Sequence, residues 1–313
     1  EPDVIPSEHF NTILYDDGAG AKTGVGFQPD LVWLKSRGSA YYHKLTDAVR
    51  GVTKAISSDS NNAETTDSTG LTAFGADGFT VGADTDYSDT TGDGMVAWNW
   101  KANGAGSANT VGSIDSTVSV NDDAGFSIVE YTRASGDGVA SIGHGLSKAP
   151  DVVIARRRGE MNWYVYHSSL DNDYEIYLNL LNAATSGATM ATPSATVINY
   201  NNLDPLNKVA YCFYSVEGYS KFGAYTGNLL ADGTFIYTGF RPAWVMIKYT
   251  GGEMNWYMFD VKRSPYNQAG DYFSAENSDP EYNWGSNQQI DILSNGFKIR
   301  SEAVNLNTDG GTY

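Results

Sequence analysis

The sequence predicts an all-β protein made of three tandem antiparallel β-sandwich modules, with jelly-roll or lectin-like topology. Three observations carry that prediction. The hexapeptide Gly-Glu-Met-Asn-Trp-Tyr occupies 159–164 and recurs 93 residues later at 252–257, and self-similarity at a fixed period marks an array of one unit. A glycine and an apolar residue lead to a proline and a short apolar run in three places, ending at Lys35, Arg156 and Lys248. Short apolar segments alternate with turns rich in Gly, Asn, Asp and Ser, and helical periodicity is weak.

The second signature reads Gly26-Phe-Gln-Pro-Asp-Leu-Val-Trp-Leu-Lys35 in the first copy and Gly239-Phe-Arg-Pro-Ala-Trp-Val-Met-Ile-Lys248 in the third. The middle copy, Gly145 to Arg156, is two residues longer before its proline. Proline fixes φ and lacks a donor, so it suits the entry of a strand. A continuous apolar run this short predicts a strand buried on both faces. The basic residue at its end is expected to return the chain to water.

An aromatic-bearing strand opens each module: Phe10 to Tyr15, Phe126 to Tyr131 and Phe222 to Tyr225. Ala76-Asp-Gly-Phe79 and Ser294-Asn-Gly-Phe297 are matching hairpin turns, since Asp-Gly and Asn-Gly supply positive φ. The stretch from Asp173 to Ala184 alternates and predicts a strand. Met95 to Trp100 and Val209 to Tyr214 are closing strands, and a third is expected after Tyr313. The predicted boundaries are module one at 1–102, a linker at 103–123 with a short strand between Val111 and Val120, module two at 124–217, and module three at 218–313 without its last strand.

Composition narrows the function. The net charge is −17 over 313 residues. Such a surface repels phosphate and argues against nucleic acid as a partner. No apolar stretch of about 18 residues is present, so no membrane insertion is expected. Cys212 stands alone in an apolar run and reads as a small buried hydrophobe.

Catalytic motifs are missing from the pattern. There is no G-x-S-x-G, and the four histidines lack metal spacing. His43 and His167 read as polar strand residues at an edge or surface, and His144 as a turn residue. No catalytic residues and no resident cofactor are expected. The loop Asp84-Thr-Asp-Tyr-Ser-Asp-Thr-Thr-Gly-Asp-Gly94 is the best candidate for Ca²⁺, through Asp84, Asp86, Asp89 and Asp93, although its spacing departs from an EF-hand. Loop aromatics Tyr41, Tyr42, Tyr87, Tyr266, Tyr282 and Trp284 are candidates for stacking on sugars, because an apolar ring face can cover a sugar while a polar edge bonds its hydroxyls. Trp163 and Trp256 of the repeated hexapeptide are read as core, and Glu160 and Glu253 as solvent-facing. Arg156, Arg157 and Arg158 form a basic cluster suited to a subunit contact.

Pro6-Ser-Glu-His-Phe10, the strand from Gly26 to Arg37, the segment from Gly218 to Asn228 and the segment from Tyr237 to Lys248 together resemble a family of bacteriophage virion proteins. These are labelled tail-fibre or SPRY-domain-containing proteins and are frequent in marine phages. The resemblance covers nearly the whole chain. It implies a non-enzymatic structural protein on the virion surface, as a tail or head fibre or decoration, assembled in the cytoplasm of a bacterial host. It also implies oligomerisation, with a trimer as the usual form, contacts to other virion proteins, and attachment to host-surface glycans. The alternatives are a non-viral carbohydrate-binding array and a polysaccharide depolymerase spike.

Overall fold

Pro29, Pro150 and Pro242 each stand just ahead of a strand, at Leu31–Ser36, Val152–Arg157 and Trp244–Lys248. The computed structural model describes residues 4–313 except 17, 90, 91, 135, 137, 203 and 284–288. The fold is all-β. A single turn of 3₁₀ helix at Pro6–Glu8 and a four-residue α-helix at Val304–Asn307 are the helices among the described residues.

Each proline-led signature strand lies in an antiparallel inner sheet. The first sheet runs Phe10–Tyr15, Met95–Trp100, Leu31–Ser36, Lys44–Asp47 in spatial order. The second has the same core order, Phe126–Arg133, Leu206–Phe213, Val152–Arg157, Tyr164–His167, then continues through Tyr174–Tyr177. In both, the closing strand inserts between the first strand and the signature strand. The third inner sheet runs Trp244–Lys248, Trp256–Asp260, Asp271–Ser274, Tyr282–Asn283. Three-stranded outer sheets cover the inner ones, and the two layers pack as β-sandwiches.

Alternation along the signature strands explains their double burial. Val32 and Leu34 point into a core shared with the outer sheet, beside Phe27, Leu71 and Phe79. Leu31 and Trp33 point the other way, into a second core. That second core is common to all three inner sheets. It gathers Trp98 and Leu45 from the first, Trp163, Val165 and Tyr211 from the second, and Trp256, Met258 and Phe273 from the third.

Strand registers make three sets of positions equivalent. Leu31 pairs with Asp47, Val152 with His167, and Trp244 with Asp260. Counting back four residues aligns His43, Trp163 and Trp256. Each ring reaches a backbone carbonyl in, or in the loop beside, a different sheet. The His43 Nε2–H donates to Ser274 O at 3.2 Å, Trp163 Nε1–H to Ser57 O at 2.8 Å, and Trp256 Nε1–H to Tyr177 O at 2.9 Å. First reaches third, second reaches first, and third reaches second, so the sheets close in a cycle. Trp33 donates to His43 Nδ1 at 2.9 Å, which fixes the tautomer. His43 is fully buried, and burial holds its pKa well below the usual imidazole value. The expected surface histidine is therefore corrected: it occupies a tryptophan's place. His144 is buried as well, with Nε2 3.1 Å from Ser194 O.

The second correction concerns the strand-end cations. Lys35, Arg156 and Lys248 are buried rather than returned to water. Lys35 Nζ donates to the carbonyls of Ser36 and Ser39, and Lys248 Nζ to those of Leu181 and Tyr249. Arg156 donates to Ser57, Ser60, Asn61 and Asn62 of the first unit. The loop carbonyls supply what solvent otherwise would. A third correction concerns 103–123, which is not a bare linker. Ser116–Asn121 pairs along its whole length with Phe126–Arg133, and Ser107–Asn109 pairs with Ser116–Val118, extending the second inner sheet.

Beside this cycle, Asp59, Asn179 and Glu276 accept the backbone N–H of His43, Trp163 and Trp256 in turn. Burial pushes both carboxyls up to about 7, and Asp59 Oδ1 and Glu276 Oε1 have no donor among the described residues. Raised carboxyl pKa values stabilise the fold fully below the unfolded values near 4. That contribution is lost as pH rises through 7. We expect the double variant Asp59→Asn, Glu276→Gln, which copies Asn179, to lose less stability than the parent between pH 5 and pH 8. The difference is at most about 2.6 kcal/mol per group, and urea titrations at both pH values measure it.

Candidate functional site

In the second sandwich, residues 187–189, 201, 202 and 204 come together beside Met161 and Tyr164. A polar cleft opens there, lined by Met161, Tyr164, Asp173, Thr189, Asn201, Asn202 and Asp204. A smaller pocket shares Met161, Tyr164, Thr189 and Asp204 with it and reaches down to Tyr131, Arg157, Tyr200 and Lys208.

Alternation puts Tyr164 in this wall. Trp163, one residue earlier, fills the common core, so Tyr164 faces the opposite side of its sheet. Its ring leans on Tyr177 at 5.5 Å between centroids, which holds it half-buried at the rim. Tyr131 and Tyr200 join their hydroxyls on the inner side. Burial raises both phenols, so they stay protonated donors.

Asp204 lines the cleft, and buried Glu175 lies behind its Thr189 wall, and the two have different surroundings. Burial alone would raise Asp204. The bonds from Lys208, and from Arg157 Nη1 at 3.2 Å, outweigh it and hold the pKa below the usual carboxylate range. Glu175 is raised by burial. Its oxygens accept from Thr189 N at 2.8 Å and Tyr177 OH at 3.2 Å. One group is thus held as a charged acceptor between two cations, and the other is occupied by protein donors. With an aromatic face, two exposed amides and a hydroxyl at the mouth, the arrangement can bond polyhydroxylated ligands.

The sequence placed its sugar-stacking candidates elsewhere. Tyr266 is 84% exposed and Tyr42 46%, with Lys44 Nζ 5.6 Å from the Tyr42 ring centroid. Tyr41 is half-buried. Tyr87 is corrected to a core residue. The turn in which Tyr87 N and Ser88 N donate to Asp84 O swings its ring into the first sandwich. Tyr282 belongs to a strand and stacks on Tyr272 at 5.5 Å, with its hydroxyl donating to Asp279. Trp284 lies outside the described residues. These tyrosines are scattered over the first and third units and form no common surface with the cleft.

The Asp84 loop does not gather its carboxylates. Asp84 accepts from Asp86 N at 2.8 Å, Asp86 pairs with Lys44 at 2.7 Å, and buried Asp89 accepts from Ser36 Oγ. Asp93 is exposed, beside Gly38. Among the described residues no group of three or more His, Cys, Asp or Glu is placed to hold a metal. Turn bonds and separate partners have taken the oxygens a Ca²⁺ ion would need.

The arginine cluster is also corrected. Arg156 and Arg158 hold the loop from Ser57 to Glu64 of the same chain. Arg158 pairs with Glu64 at 2.6 Å and with Glu130, while Arg157 turns to Asp204 in the cleft. Sequence reasoning missed Tyr164 because it belongs to a hexapeptide whose tryptophan is core. It missed Asp204 because that residue lies in an ordinary polar turn. The available signal was Asn201-Asn202-Leu203-Asp204, a run of amides and a carboxylate directly before a closing strand.

No curated protein and no solved structure matches the chain. The family model described as a domain of unknown function, DUF7483, matches residues 5–313, and the chain belongs to that family.

Proposed function

We propose that this chain is a non-catalytic structural protein of a bacteriophage particle, exposed on the tail or capsid exterior, that attaches to host-surface glycans. The cyclic locking of three inner sheets around one core carries the reading. Most buried charges serve that frame, as in Asp47–Arg50 and Asp260–Arg263, and the cleft of the second unit remains as a polar surface with an aromatic rim. The phage context rests on the resemblance of the segments from Gly218 to Asn228 and from Tyr237 to Lys248. Assembly would take place in the bacterial cytoplasm, with other copies of the chain and other virion proteins as partners. Each cleft would bind weakly, and multiple copies on a particle would make attachment firm.

Mass spectrometry of purified particles tests the first half, and the chain's absence from them overturns it. A glycan array tests the second. Binding is expected with the parent and should fall at least tenfold with Tyr164→Ala, the loss of one stacking ring being about 1.4 kcal/mol or more. Equal binding by both proteins removes the cleft from the proposal. Release of new reducing ends from host polysaccharide would favour a depolymerase instead. The expected trimer is checked by light scattering, as a mass near three times 33.8 kDa.

A further inference from the structure

The third inner sheet differs from the other two along one edge. In the first sheet, Arg37 N donates to Gly94 O at 3.0 Å as the closing strand enters. In the second, Arg158 N donates to Asn207 O at 2.9 Å, and in the third Thr250 N donates to Thr312 O at 3.0 Å. Tyr313 therefore stands level with Met95 and Lys208. It also exchanges backbone bonds with Tyr225 at 3.1 and 3.0 Å, as Tyr15 pairs with Met95 and Tyr131 with Lys208.

Beyond that level, Val96–Trp100 and Val209–Phe213 run on between the first strand and the signature strand. In the third sheet the Trp244–Lys248 strand is an edge. Its inward residues Trp244 and Met246 are half-buried, whereas their counterparts Leu31 and Trp33 are 2% and 3% exposed. Leu170, Ala184 and Phe222 are likewise only partly covered, and all five adjoin the common core. The Trp244 indole N–H is buried with no acceptor among the described residues.

The opposing wall states what chemistry fits. The third residue of each run-on segment sends a polar tip across an interface: Trp98 Nε1 to Asp260 at 3.2 Å, and Tyr211 OH to Asp47 at 2.8 Å. Both aspartates belong to buried ionic groups, Asp47–Arg50–Glu64 and Asp260–Arg263–Glu281. The corresponding positions in the remaining interface are His167, Leu170 and Ala184. No carboxylate waits there, so an apolar ring suits that third position.

We propose that the edge of Trp244–Lys248 is a strand-docking site. Its occupant is an extended five-residue segment continuous with Tyr313, antiparallel to Trp244–Lys248, with apolar residues at its first, third and fifth positions, a small second residue and an aromatic without a charged partner at the third. Main-chain bonds to an exposed sheet edge would hold it, and alternate side chains would enter the common core.

Appending Val-Ala-Phe-Ser-Phe after Tyr313 tests this. Relative to the 313-residue chain, Tm should rise by roughly 5 °C or more. Amide exchange across 244–248 should slow at least tenfold. Met246→Glu should cancel both gains while changing the unextended chain little, since Met246 is only half-buried there. The proposal is overturned if an extension with serine moved to the inward positions stabilises equally. It is also overturned if exchange at 244–248 is unchanged, or if the gain survives Met246→Glu.

Discussion

Replacing Arg50 with leucine should lower unfolding stability by about 3–5 kcal/mol, the usual cost of breaking a buried ion pair from one side. Arg50 lies between the first and second sheets with no exposed side-chain surface. It holds Asp47 at 2.5 Å, Glu64 at 3.0 Å, the carbonyl of Leu45 at 3.0 Å and the hydroxyl of Tyr211 at 3.2 Å. Leucine leaves two carboxylates in the interface without their shared cation. The chain itself supplies the control, because the equivalent positions in another interface are His167, Leu170 and Ala184. The quadruple variant Asp47→His, Arg50→Leu, Glu64→Ala, Tyr211→Phe, which also removes the hydroxyl that donates to Asp47, should therefore recover most of the loss, with Arg158 still paired to Glu130. Urea denaturation of the single and quadruple variants decides the matter. A quadruple variant as damaged as the single one would show that the ionic group is not exchangeable for its apolar counterpart.

Trp163→Ala is expected to cost a similar amount, about 3–5 kcal/mol, because it opens a cavity in the core shared by three sheets. Trp163 is fully buried, stacks near Tyr211 at 6.2 Å, lies 5.1 Å from the Arg156 guanidinium, and donates to Ser57 O. Its loss strips packing from two sheets at once and leaves a carbonyl of the first unit without that donor. The variant should still melt in one transition, since no sheet keeps a complete core without the others. Differential scanning calorimetry that resolved separate transitions would contradict this account of the common core.

Local signals in the sequence reached a good part of this architecture. Proline followed by a short apolar run identified the signature strands, and the double burial of Leu31–Ser36 follows from that run alone. The hexapeptide repeat identified Trp163 and Trp256 as equivalent core residues, with Glu160 and Glu253 in solvent. Contacts between sheets were not legible, because they join residues that stand far apart in sequence, as Lys248 and Leu181 do at a separation of 67 and Arg37 and Glu281 at 244. Lys35 ends an apolar run and looks like an exit to water; only the folding back of Ser39 makes it a buried donor. His43 resembled a surface histidine because its equivalence to a tryptophan appears in strand register and not in residue type. Tyr87 looked like a loop aromatic, and the turn at Asp84 sends it inward. The cleft was hidden for a related reason: Tyr164 and Asp204 lie 40 positions apart and meet only when Tyr164–His167 and Leu206–Phe213 flank Val152–Arg157 in one sheet.

The interface that replaces Asp, Arg and Glu with His167, Leu170 and Ala184 has a consequence for crowded assembly. Three interchangeable joints would let a repeat from one molecule take the place of its counterpart in another. Joints of unlike polarity behave as lock and key. A Trp98 or Tyr211 side chain presented to Leu170 would find no carboxylate for its polar tip, and an apolar ring presented to Asp47 would leave a charged oxygen short of a donor. The apolar joint is thereby told apart from the two ionic ones, and a unit from another copy is disfavoured at a joint of the other kind.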